Sequence, residues 1–286
     1  MTNVSSASHA ASHAASHAGS TPIANVLTIA GSDSGGGAGI QADLKTFSAL
    51  GAYGASVITA LTAQNTRGVT AIHAPDPGFV TAQLDAVFDD IRIDAVKIGM
   101  LANAPIARAV ADALQRYRPR HVVLDTVMIS KSNHALLSSD AVAAIRDVLL
   151  PLATLVTPNL PEAAALLGET AATDEAGMIR QGEALRALGA QAVLMKGGHL
   201  SSADSPDWLV QDSGTLRLGG PRVPVKNTHG TGCTLSSAIA ALVAQRDDLA
   251  SAVTDAKTYL TGALQASDRL EVGSGVGPVH HFYRWW

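Results

Sequence analysis

The chain has 286 residues, of which 47% are hydrophobic and 15% charged, with a formal net charge of -4 at pH 7. These proportions predict a folded protein with a well-filled core and exclude a chain that is disordered throughout. No dense Lys/Arg stripe interleaved with aromatic residues is present, which argues against nucleic acid as a partner, and no apolar run reaches the roughly 18 residues of a membrane span. A single cysteine cannot build a disulfide framework, which together with the lack of a membrane span leads us to expect a cytoplasmic protein. Because nucleic acid is disfavoured, we expect it to act on a small molecule.

The first 25 residues differ in composition from the rest of the chain. The tetrapeptide Ala-Ser-His-Ala recurs three times within residues 7–18 and places His9, His13 and His17 four residues apart. On a helix these imidazoles would share one face and could chelate a metal such as zinc or nickel. A short Ala/Ser/His repeat has nothing large to bury, so we expect residues 1–25 to be a low-complexity, disordered extension without a catalytic role.

From Val26 onward, short β-branched runs alternate with longer helical stretches. The predicted strands are residues 26–30, 55–59, 95–98, 121–125, 154–157 and 192–196, followed by a hairpin with strands 207–211 and 215–218. Helices are predicted from Asn103 to about Tyr117, from a cap at Ser139 to about Leu150, and from a cap at Thr173 to Gly189. The alternation predicts one α/β domain over residues 26–286, with a mostly parallel sheet covered by helices on both faces.

A glycine-rich run follows the first predicted strand, at residues 31–43. The segment 37–42 matches the dinucleotide fingerprint, so a nicotinamide enzyme has to be weighed. Its glycines lie too far beyond Ala30 for a tight strand-to-helix turn, and the next strand region ends without an acid to hold a ribose. A Walker P-loop does not fit either, because Leu44 stands where that motif requires glycine.

Polar residues collect where the later predicted strands end. They include Gln64, Asp125, Glu162 and Lys196. Each has an ordinary structural explanation, such as a helix cap or a solvated strand end, but ligands of parallel sheets bind at the carboxyl ends of the strands. A carboxylate pair such as Asp125 and Glu162 suits a hydrated Mg²⁺, and Lys196 would neutralise phosphate charge. The set therefore indicates phosphoryl transfer.

Residues 226–238 combine a glycine-containing loop with the start of a predicted helix. Gly230 and Gly232 allow several backbone N–H groups to point at one anion, and the helix adds the positive end of its dipole. Taken alone, such a loop is explained equally well by an ordinary turn. Cys233, the one cysteine of the chain, lies at this helix start, where we expect the pKa of its thiol to be lowered.

Motifs along the chain together carry a family resemblance. They are AGSDSGGGAGIQADLK at residues 30–45, SVITALTAQN at 56–65, VLDTVM at 123–128, TPNLPE at 157–162, MKGGH at 195–199, NTHGTGCT at 227–234 and GPVHH at 277–281. From about Val26 to Trp286 the chain resembles the hydroxymethylpyrimidine/phosphomethylpyrimidine kinases of thiamine biosynthesis, members of the ribokinase-like superfamily. The resemblance implies a three-layer α/β/α sandwich. It also implies a kinase that converts 4-amino-5-hydroxymethyl-2-methylpyrimidine to its monophosphate and then to the diphosphate, using ATP and Mg²⁺.

The resemblance assigns roles on the acceptor side of the site. It implies that the amide of Gln64 hydrogen-bonds the pyrimidine, which suits an amide because it offers both a donor and an acceptor. It further implies that Asp43 and the loop from Gly31 to Gly39 line the same pocket. Met100 and Val127 would form its apolar walls.

On the phosphate side, the resemblance implies an anion hole for the transferred phosphoryl group. The implied catalytic residues are Gly230, Thr231, Gly232, Cys233 and Lys196, and the implied metal ligands are Asp125 and Glu162. Most members of the superfamily place an aspartate base where this chain has Cys233. The identity of the base therefore stays open.

Two alternatives to this function are kept. Pyridoxal kinase acts on a related heteroaromatic hydroxymethyl compound, but Cys233 and the ending at residues 277–281 favour the thiamine enzyme. A non-catalytic pyrimidine sensor is disfavoured by the intact phosphate loop together with Lys196. The family also leads us to expect a homodimer, whereas residues 130–135 depart from its usual flap-like loop and the tail before Val26 has no counterpart in it.

We predict that deletion of residues 1–24 leaves both phosphorylation steps unchanged, because the repeat has little to pack against the fold. Turnover of the truncated and full-length proteins should be compared under the same conditions. A large loss of turnover in the truncated protein would show that the histidines contribute to activity.

Overall fold

The structure, a computed structural model, describes residues 22–128, 138–200 and 204–286. The Ala-Ser-His repeat and the flap-like segment at residues 130–135 lie outside the described residues. The strands are β1 (Asn25–Gly31), β2 (Tyr53–Asn65), β3 (Gly68–His73), β4 (Ala95–Ile98), β5 (Val122–Leu124), β6 (Leu155–Val156), β7 (Val193–Lys196), β8 (Asp207–Gln211) and β9 (Gly214–Leu218). The α-helices are α1 (Gly39–Ala49), α2 (Pro77–Phe88), α3 (Ala104–Tyr117), α4 (Ser139–Ala144), α5 (Leu160–Leu167), α6 (Glu175–Ala187), α7 (Thr231–Val243) and α8 (Leu249–Gln265).

The strands form one 9-stranded sheet with the order β3-β2-β1-β4-β5-β6-β7-β8-β9. Neighbours from β2 to β7 are parallel, whereas β3 at one edge and the β8–β9 hairpin at the other are antiparallel. The chain runs outward from β1 through β2 to β3 and then returns to β4 on the other side of β1. The strand order thus reverses between β1 and β4, and such a point leaves a crevice for ligands at the carboxyl ends of the strands.

Helices cover both faces of the sheet. On one face α1, α7 and α8 bury a cluster that includes Phe47, Leu235 and Val253. On the other face α2 to α6 bury a second cluster that includes Leu84 and Val110. The predicted three-layer α/β/α sandwich with a mostly parallel centre is confirmed.

Strand β2 is longer than predicted, because it runs for 13 residues and pairs with β3, which the sequence did not indicate. The distal part of β2 and most of β3 are exposed or half-buried. They therefore lack the continuous apolar run that marks the central strands. Residues of the β2–β3 hairpin, among them Asn65, Gly68 and Val69, line a cavity at the crevice.

Helix ends show which capping predictions hold. Asn103 caps α3 as predicted, and its side chain accepts a hydrogen bond from the Ile106 amide at 2.9 Å. The predicted cap at Thr173 is wrong, because the neighbouring Asp174 accepts from the Gly177 amide and caps α6. A carboxylate stabilises this position more strongly than a hydroxyl does, since its charge also interacts with the helix dipole.

The helix predicted from Ser139 to about Leu150 is irregular. Ser138, and not Ser139, occupies the cap position, and its side chain makes no capping hydrogen bond. After α4 the chain continues as a π-helical turn at Ile145–Leu149 and a 3-10 turn at Leu150–Leu152. Pro151 lies in this last turn and lacks the backbone N–H that a regular helix requires.

The first strand starts one residue earlier than predicted. Ala24 is already buried, and its carbonyl accepts a hydrogen bond from the Tyr53 amide at 2.9 Å. Removal of residues 1–21 is therefore the cleaner truncation. Within the three described ranges, no helix is long and apolar enough to cross a membrane.

A buried ion pair joins the helical layer of α1 and α7 to the sheet. Nζ of Lys97 on β4 lies 2.9 Å and 2.8 Å from the two carboxylate oxygens of Asp43 on α1, and neither side chain has exposed surface. The hydroxyls of Thr28 on β1 and Ser237 on α7 each donate to this carboxylate at 2.6 Å. Burial by itself lowers the pKa of Lys97, but the charges of Asp43 and Asp125 raise it above its ordinary value. The ammonium therefore stays charged inside the protein.

We predict that Lys97→Met lowers the free energy of unfolding by about 3–5 kcal/mol, because it leaves the Asp43 carboxylate buried without its cation. The double variant Lys97→Met/Asp43→Leu should recover much of this loss, since it removes both charges. Urea denaturation of the wild type and both variants measures the difference. A single variant at least as stable as the double variant would contradict this account of the pair.

Candidate active site

A cavity of about 330 Å³ opens at the crevice where the strand order reverses. Its walls come from the loop after β1, the β2–β3 hairpin, the ends of β4, β5 and β7, and the loop that starts α7. It is lined by these predicted site residues: Gly31, Gln64, Met100, Asp125, Val127, Glu162, Lys196, Gly230, Thr231, Gly232 and Cys233. The fold thus brings residues from distant parts of the sequence to one cavity.

The loop before α7 has the geometry expected of an anion site. Gly230 precedes the first helical residue and has a φ of 78°, and a Cβ there would lie 1.9 Å from the carbonyl oxygen of Gly37. Only glycine allows this contact between the two glycine-containing loops. The loop is held from behind, because the His229 amide donates to the Gly277 carbonyl at 2.9 Å. The Thr231 amide donates to the Thr228 carbonyl at 3.4 Å. Gly232 and Cys233 line the cavity, and the N–H groups at such a helix start have no partner within the helix, so an anion can accept from them.

Lys196 lies between the two predicted metal ligands. Its Nζ is 3.3 Å from a carboxylate oxygen of Asp125 and 3.9 Å from one of Glu162. The same Glu162 oxygen accepts from the Asn159 amide at 2.9 Å and from the Thr126 hydroxyl at 3.0 Å. The Asn159 bond and the reciprocal bond, in which the Glu162 amide donates to Oδ1 of Asn159 at 2.9 Å, form a capping box at the start of α5. Together with the Thr126 bond they orient the carboxylate. The predicted set of two carboxylates and one ammonium is therefore assembled in space.

The pKa values of the two carboxyl groups are shifted in opposite directions. Burial acts to raise the pKa of Asp125, but the ammonium groups of Lys196 and Lys97 and the Ser236 hydroxyl lower it below its ordinary value. Burial raises the pKa of Glu162 above its ordinary value, and the nearby Asp125 charge adds to this although Lys196 opposes it. Asp125 is thus the stronger acid of the pair, and Glu162 the weaker one.

On the side of the cavity that is predicted to bind the acceptor, Met100 and Val127 are apolar and Gln64 is polar. The Met100 side chain can lie on this side only because residue 31 is glycine, since a Cβ there would lie 2.6 Å from the Met100 methyl carbon. Asp43, in contrast, does not line the cavity as predicted. Its carboxylate lies beneath the cavity floor in the buried pair with Lys97, so its role in binding substrate is corrected to a structural one.

Asp33 and His229 line the cavity as well. Asp33 belongs to the loop from Gly31 to Gly39 that was expected there, whereas neither residue was given a role of its own. The Asp33 carboxylate accepts from the amides of Gly35, Gly37 and Ala38 and lies 2.9 Å from Nε2 of His229. Its signal in the sequence is an acidic residue within a run of glycines. Such a residue can bind several backbone N–H groups and so hold a loop in shape.

The expectation of a lowered pKa for Cys233 is wrong. Burial raises the pKa of the thiol to about 11, and the negative charges of Asp43 and Asp125 add to the effect although Lys97 opposes it. The side chain retains some access to the cavity. At neutral pH the sulfur is therefore almost entirely a thiol, and its position at a helix start does not offset the surrounding carboxylates.

Residues 33–280 match the sequence model of the family described as phosphomethylpyrimidine kinase. The chain belongs to this family. The hydroxymethylpyrimidine/phosphomethylpyrimidine kinase of Escherichia coli strain K12 is 61% identical over 262 residues, which cover 92% of this chain and 98% of that protein. Membership of this kinase family confirms the predicted enzyme class.

Solved structures agree with this placement. The crystal structure of a phosphomethylpyrimidine kinase from Clostridium difficile 630 is similar at 45% identity and a TM-score of 0.76, covering 84% of this chain and 99% of that one. A pyridoxal kinase from Staphylococcus aureus, solved with AMP-PCP and pyridoxal, is similar at 31% identity and a TM-score of 0.85, covering 93% and 96%. The phosphomethylpyrimidine kinase fold is thus shared with kinases of another vitamin.

We predict that the rate of alkylation of Cys233 by iodoacetamide, measured against pH, gives a pKa clearly above the value of about 8.5 found for a free cysteine. Because Cys233 is the one cysteine in the chain, the label reports on this site alone, and Cys233→Ala is the blank. In denaturant the value should return to the ordinary one. A folded-state value at or below that of free cysteine would contradict the effect of burial and of the two carboxylates.

Proposed function

We propose that the enzyme transfers the terminal phosphoryl group of ATP to the hydroxymethyl oxygen of 4-amino-5-hydroxymethyl-2-methylpyrimidine, and then transfers a second one to the resulting monophosphate. In each step an acceptor oxygen forms a bond to the γ-phosphorus and the bond to the β,γ-bridging oxygen breaks, so that ADP leaves. The observation that carries the proposal is the single cavity lined by both Gln64 and the loop at Gly230. An acceptor ring and a transferring phosphate can therefore meet within it.

The pyrimidine would lie on the acceptor side. Met100 and Val127 offer apolar contact to the ring, and the amide of Gln64 offers a donor and an acceptor to an aminopyrimidine edge. Gly31 removes the side chain that would displace Met100 from this wall. The hydroxymethyl group would then point toward the start of α7.

The transferred phosphoryl group would lie against residues 230–233. Backbone N–H groups at a helix start bind phosphate oxygens without needing to reorganise during the reaction. A Cβ at residue 232 would lie 3.6 Å from Nζ of Lys196, so this ammonium is within reach of the same phosphate. Charge neutralisation of this kind supplies most of the catalysis in phosphoryl transfer.

The residues present fit a magnesium ion. Mg²⁺ binds through one or two carboxylates and completes its shell with water and phosphate oxygens, and Asp125 and Glu162 supply this donor set beside Lys196. A bound Mg²⁺ would neutralise phosphate charge. Its positive charge would also favour the ionised form of Glu162, whose pKa burial now raises.

Cys233 is assigned to the wall of the anion site and not to the role of principal base. Its thiol is protonated at neutral pH, since burial raises its pKa to about 11. A loose transition state needs little base assistance early in the transfer, so the acceptor proton can leave late. Backbone amides and Lys196 would then supply most of the rate enhancement.

Pyridoxal remains the alternative acceptor, because the Staphylococcus aureus pyridoxal kinase superposes with a TM-score of 0.85. An ATP-consumption assay with hydroxymethylpyrimidine, its monophosphate or pyridoxal as the sole acceptor separates the two. Turnover with both pyrimidines supports the proposal, whereas turnover with pyridoxal alone would contradict it. The expected homodimer and the cytoplasmic location stay predictions.

We predict that Gln64→Ala weakens pyrimidine binding by about 1–3 kcal/mol while it leaves ATP binding nearly unchanged, because a hydrogen-bonding partner is lost on the acceptor side only. Calorimetry with each ligand measures both effects. Gln191→Ala, which changes an exposed glutamine before β7, is the matched control. Unchanged pyrimidine affinity in Gln64→Ala would contradict the assignment of the acceptor side.

We predict that Cys233→Ala keeps measurable activity and loses less than the roughly 10²–10⁴-fold that removal of a general base typically costs. The dependence of kcat on pH should keep its lower limb, since the thiol does not titrate there. Steady-state kinetics across pH test both points. A loss in the full range for a base, together with a missing lower limb, would restore Cys233 as the base.

A further inference from the structure

The Asp33 carboxylate ties the glycine-rich loop to the phosphate loop. One oxygen accepts from the Gly35 amide at 2.8 Å, and the other accepts from Gly37 at 3.0 Å and Ala38 at 2.9 Å. Nε2 of His229 lies 2.9 Å from that second oxygen. Burial acts to raise the pKa of Asp33, but the bonds from His229 and the backbone amides lower it below its ordinary value. Asp33 is therefore ionised at neutral pH and can only accept hydrogen bonds.

An ionised Asp33 determines which nitrogen of His229 carries a proton. A lone pair on Nε2 would face the carboxylate at 2.9 Å, which is repulsive, so Nε2 must carry a hydrogen. This holds for the neutral ring with its proton on Nε2 and equally for the charged ring. His229 is thus a hydrogen-bond donor at Nε2.

The amide of Gln64 lies beside this donor. Its nitrogen is placed 3.3 Å from Nε2 of His229, and its oxygen 3.2 Å from the Thr62 hydroxyl. That hydroxyl already donates to the Ser32 carbonyl at 2.8 Å, so it has no hydrogen left for Gln64. In this orientation a donor faces a donor at one end of the amide, and an acceptor faces an acceptor at the other.

Rotating the Gln64 amide by half a turn satisfies every group. The amide oxygen then accepts from His229, and the amide nitrogen donates to the Thr62 oxygen. The Nε2 hydrogen of His229 is shared between Asp33 and Gln64, as in other three-centre hydrogen bonds. One N–H and one lone pair of the Gln64 amide remain free for a ligand.

We propose that Asp33 and His229 are positioning residues that lock the Gln64 amide in one orientation, and that this lock makes the site prefer a 4-aminopyrimidine over a 4-oxopyrimidine. The proposal rests on the proposed function, because it takes Gln64 as the residue that binds the pyrimidine. A 4-amino group donates and the adjacent ring nitrogen accepts, which matches the free lone pair and free N–H of the locked amide. A 4-oxo ring presents the opposite pattern and would need the amide reversed against His229 and Thr62.

The test compares calorimetric affinities for the 4-amino substrate and for its 4-oxo analogue, without ATP. The wild type should bind the 4-oxo analogue roughly 5- to 100-fold more weakly, the range expected when buried hydrogen-bonding groups are mismatched. His229→Leu removes one of the two groups that oppose the reversed amide and leaves only Thr62, so this ratio should fall by at least about 5-fold. His229→Gln, which keeps an N–H at the position of Nε2, should retain the ratio. A His229→Leu variant that keeps the wild-type ratio would overturn the proposal, since a merely structural role would weaken both ligands equally.

Gln64→Ala distinguishes the lock by Asp33 and His229 from the binding of the pyrimidine by Gln64. If it abolishes the preference while His229→Leu does not, the lock fails and the proposed function stands. If it changes neither affinity nor preference, Gln64 does not bind the pyrimidine, and the lock falls together with the assignment of the acceptor side. The phosphoryl transfer itself stands or falls by the ATP-consumption assay. Nitrogen-15 NMR of the His229 ring in the wild type needs no variant: a hydrogen on Nε2 is expected, and a neutral ring with its hydrogen on Nδ1 would overturn the lock.

Discussion

The buried pair of Asp43 and Lys97 is the interaction on which the arrangement of the active site depends. The pair joins α1 to β4, and the hydroxyls of Thr28 and Ser237 bring β1 and α7 to the same carboxylate. An ionised group this deep in a protein is tolerated only when its partners are complete, so the four elements must meet in one geometry. This geometry places the start of α7 above the carboxyl ends of β1 and β4. The loop that starts α7 and the predicted acceptor pocket are consequently held against each other by a pair of which only Lys97 lines the cavity.

Close backbone contact then completes the cavity. Gly230 approaches the carbonyl of Gly37, and Asp33 links the same two loops through His229. The segment near the C-terminus closes the third side, because the Val276 amide donates to the Thr66 carbonyl in the β2–β3 turn at 2.9 Å. Segments that are far apart in sequence therefore restrain one another. Such mutual restraint keeps the donors of an anion site in place before the phosphate binds. Electrostatic catalysis depends on this, because donors that are already in place need not reorganise during the reaction.

The sequence predicted the parallel centre of the sheet well, because buried strands such as β4 and β7 are short β-branched or apolar runs between helices. The sequence also predicted that Asp125, Glu162, Lys196 and residues 230–233 lie at one edge of the sheet, because the periodicity of the chain shows where strands end and helices start. All of them line the same cavity. Strand β3 was not predicted, because it is largely exposed and lacks the run of apolar residues that marks a buried strand. The errors at Asp43 and Cys233 have one cause. Their environments are set by charges from other elements, and no local pattern reveals whether a carboxylate faces a ligand or a buried lysine.

The central claim is that one cavity phosphorylates an alcohol and then the phosphate that it has made. Phosphorus-31 NMR of the enzyme with ATP, Mg²⁺ and 4-amino-5-hydroxymethyl-2-methylpyrimidine tests this claim most directly, because it identifies each phosphorylated product as it forms. The account predicts that a pyrimidine monophosphate signal appears first and then declines while two diphosphate signals rise, with ADP formed in both stages. A reaction that stops at the monophosphate, or that consumes ATP without any phosphorylated pyrimidine, would contradict it.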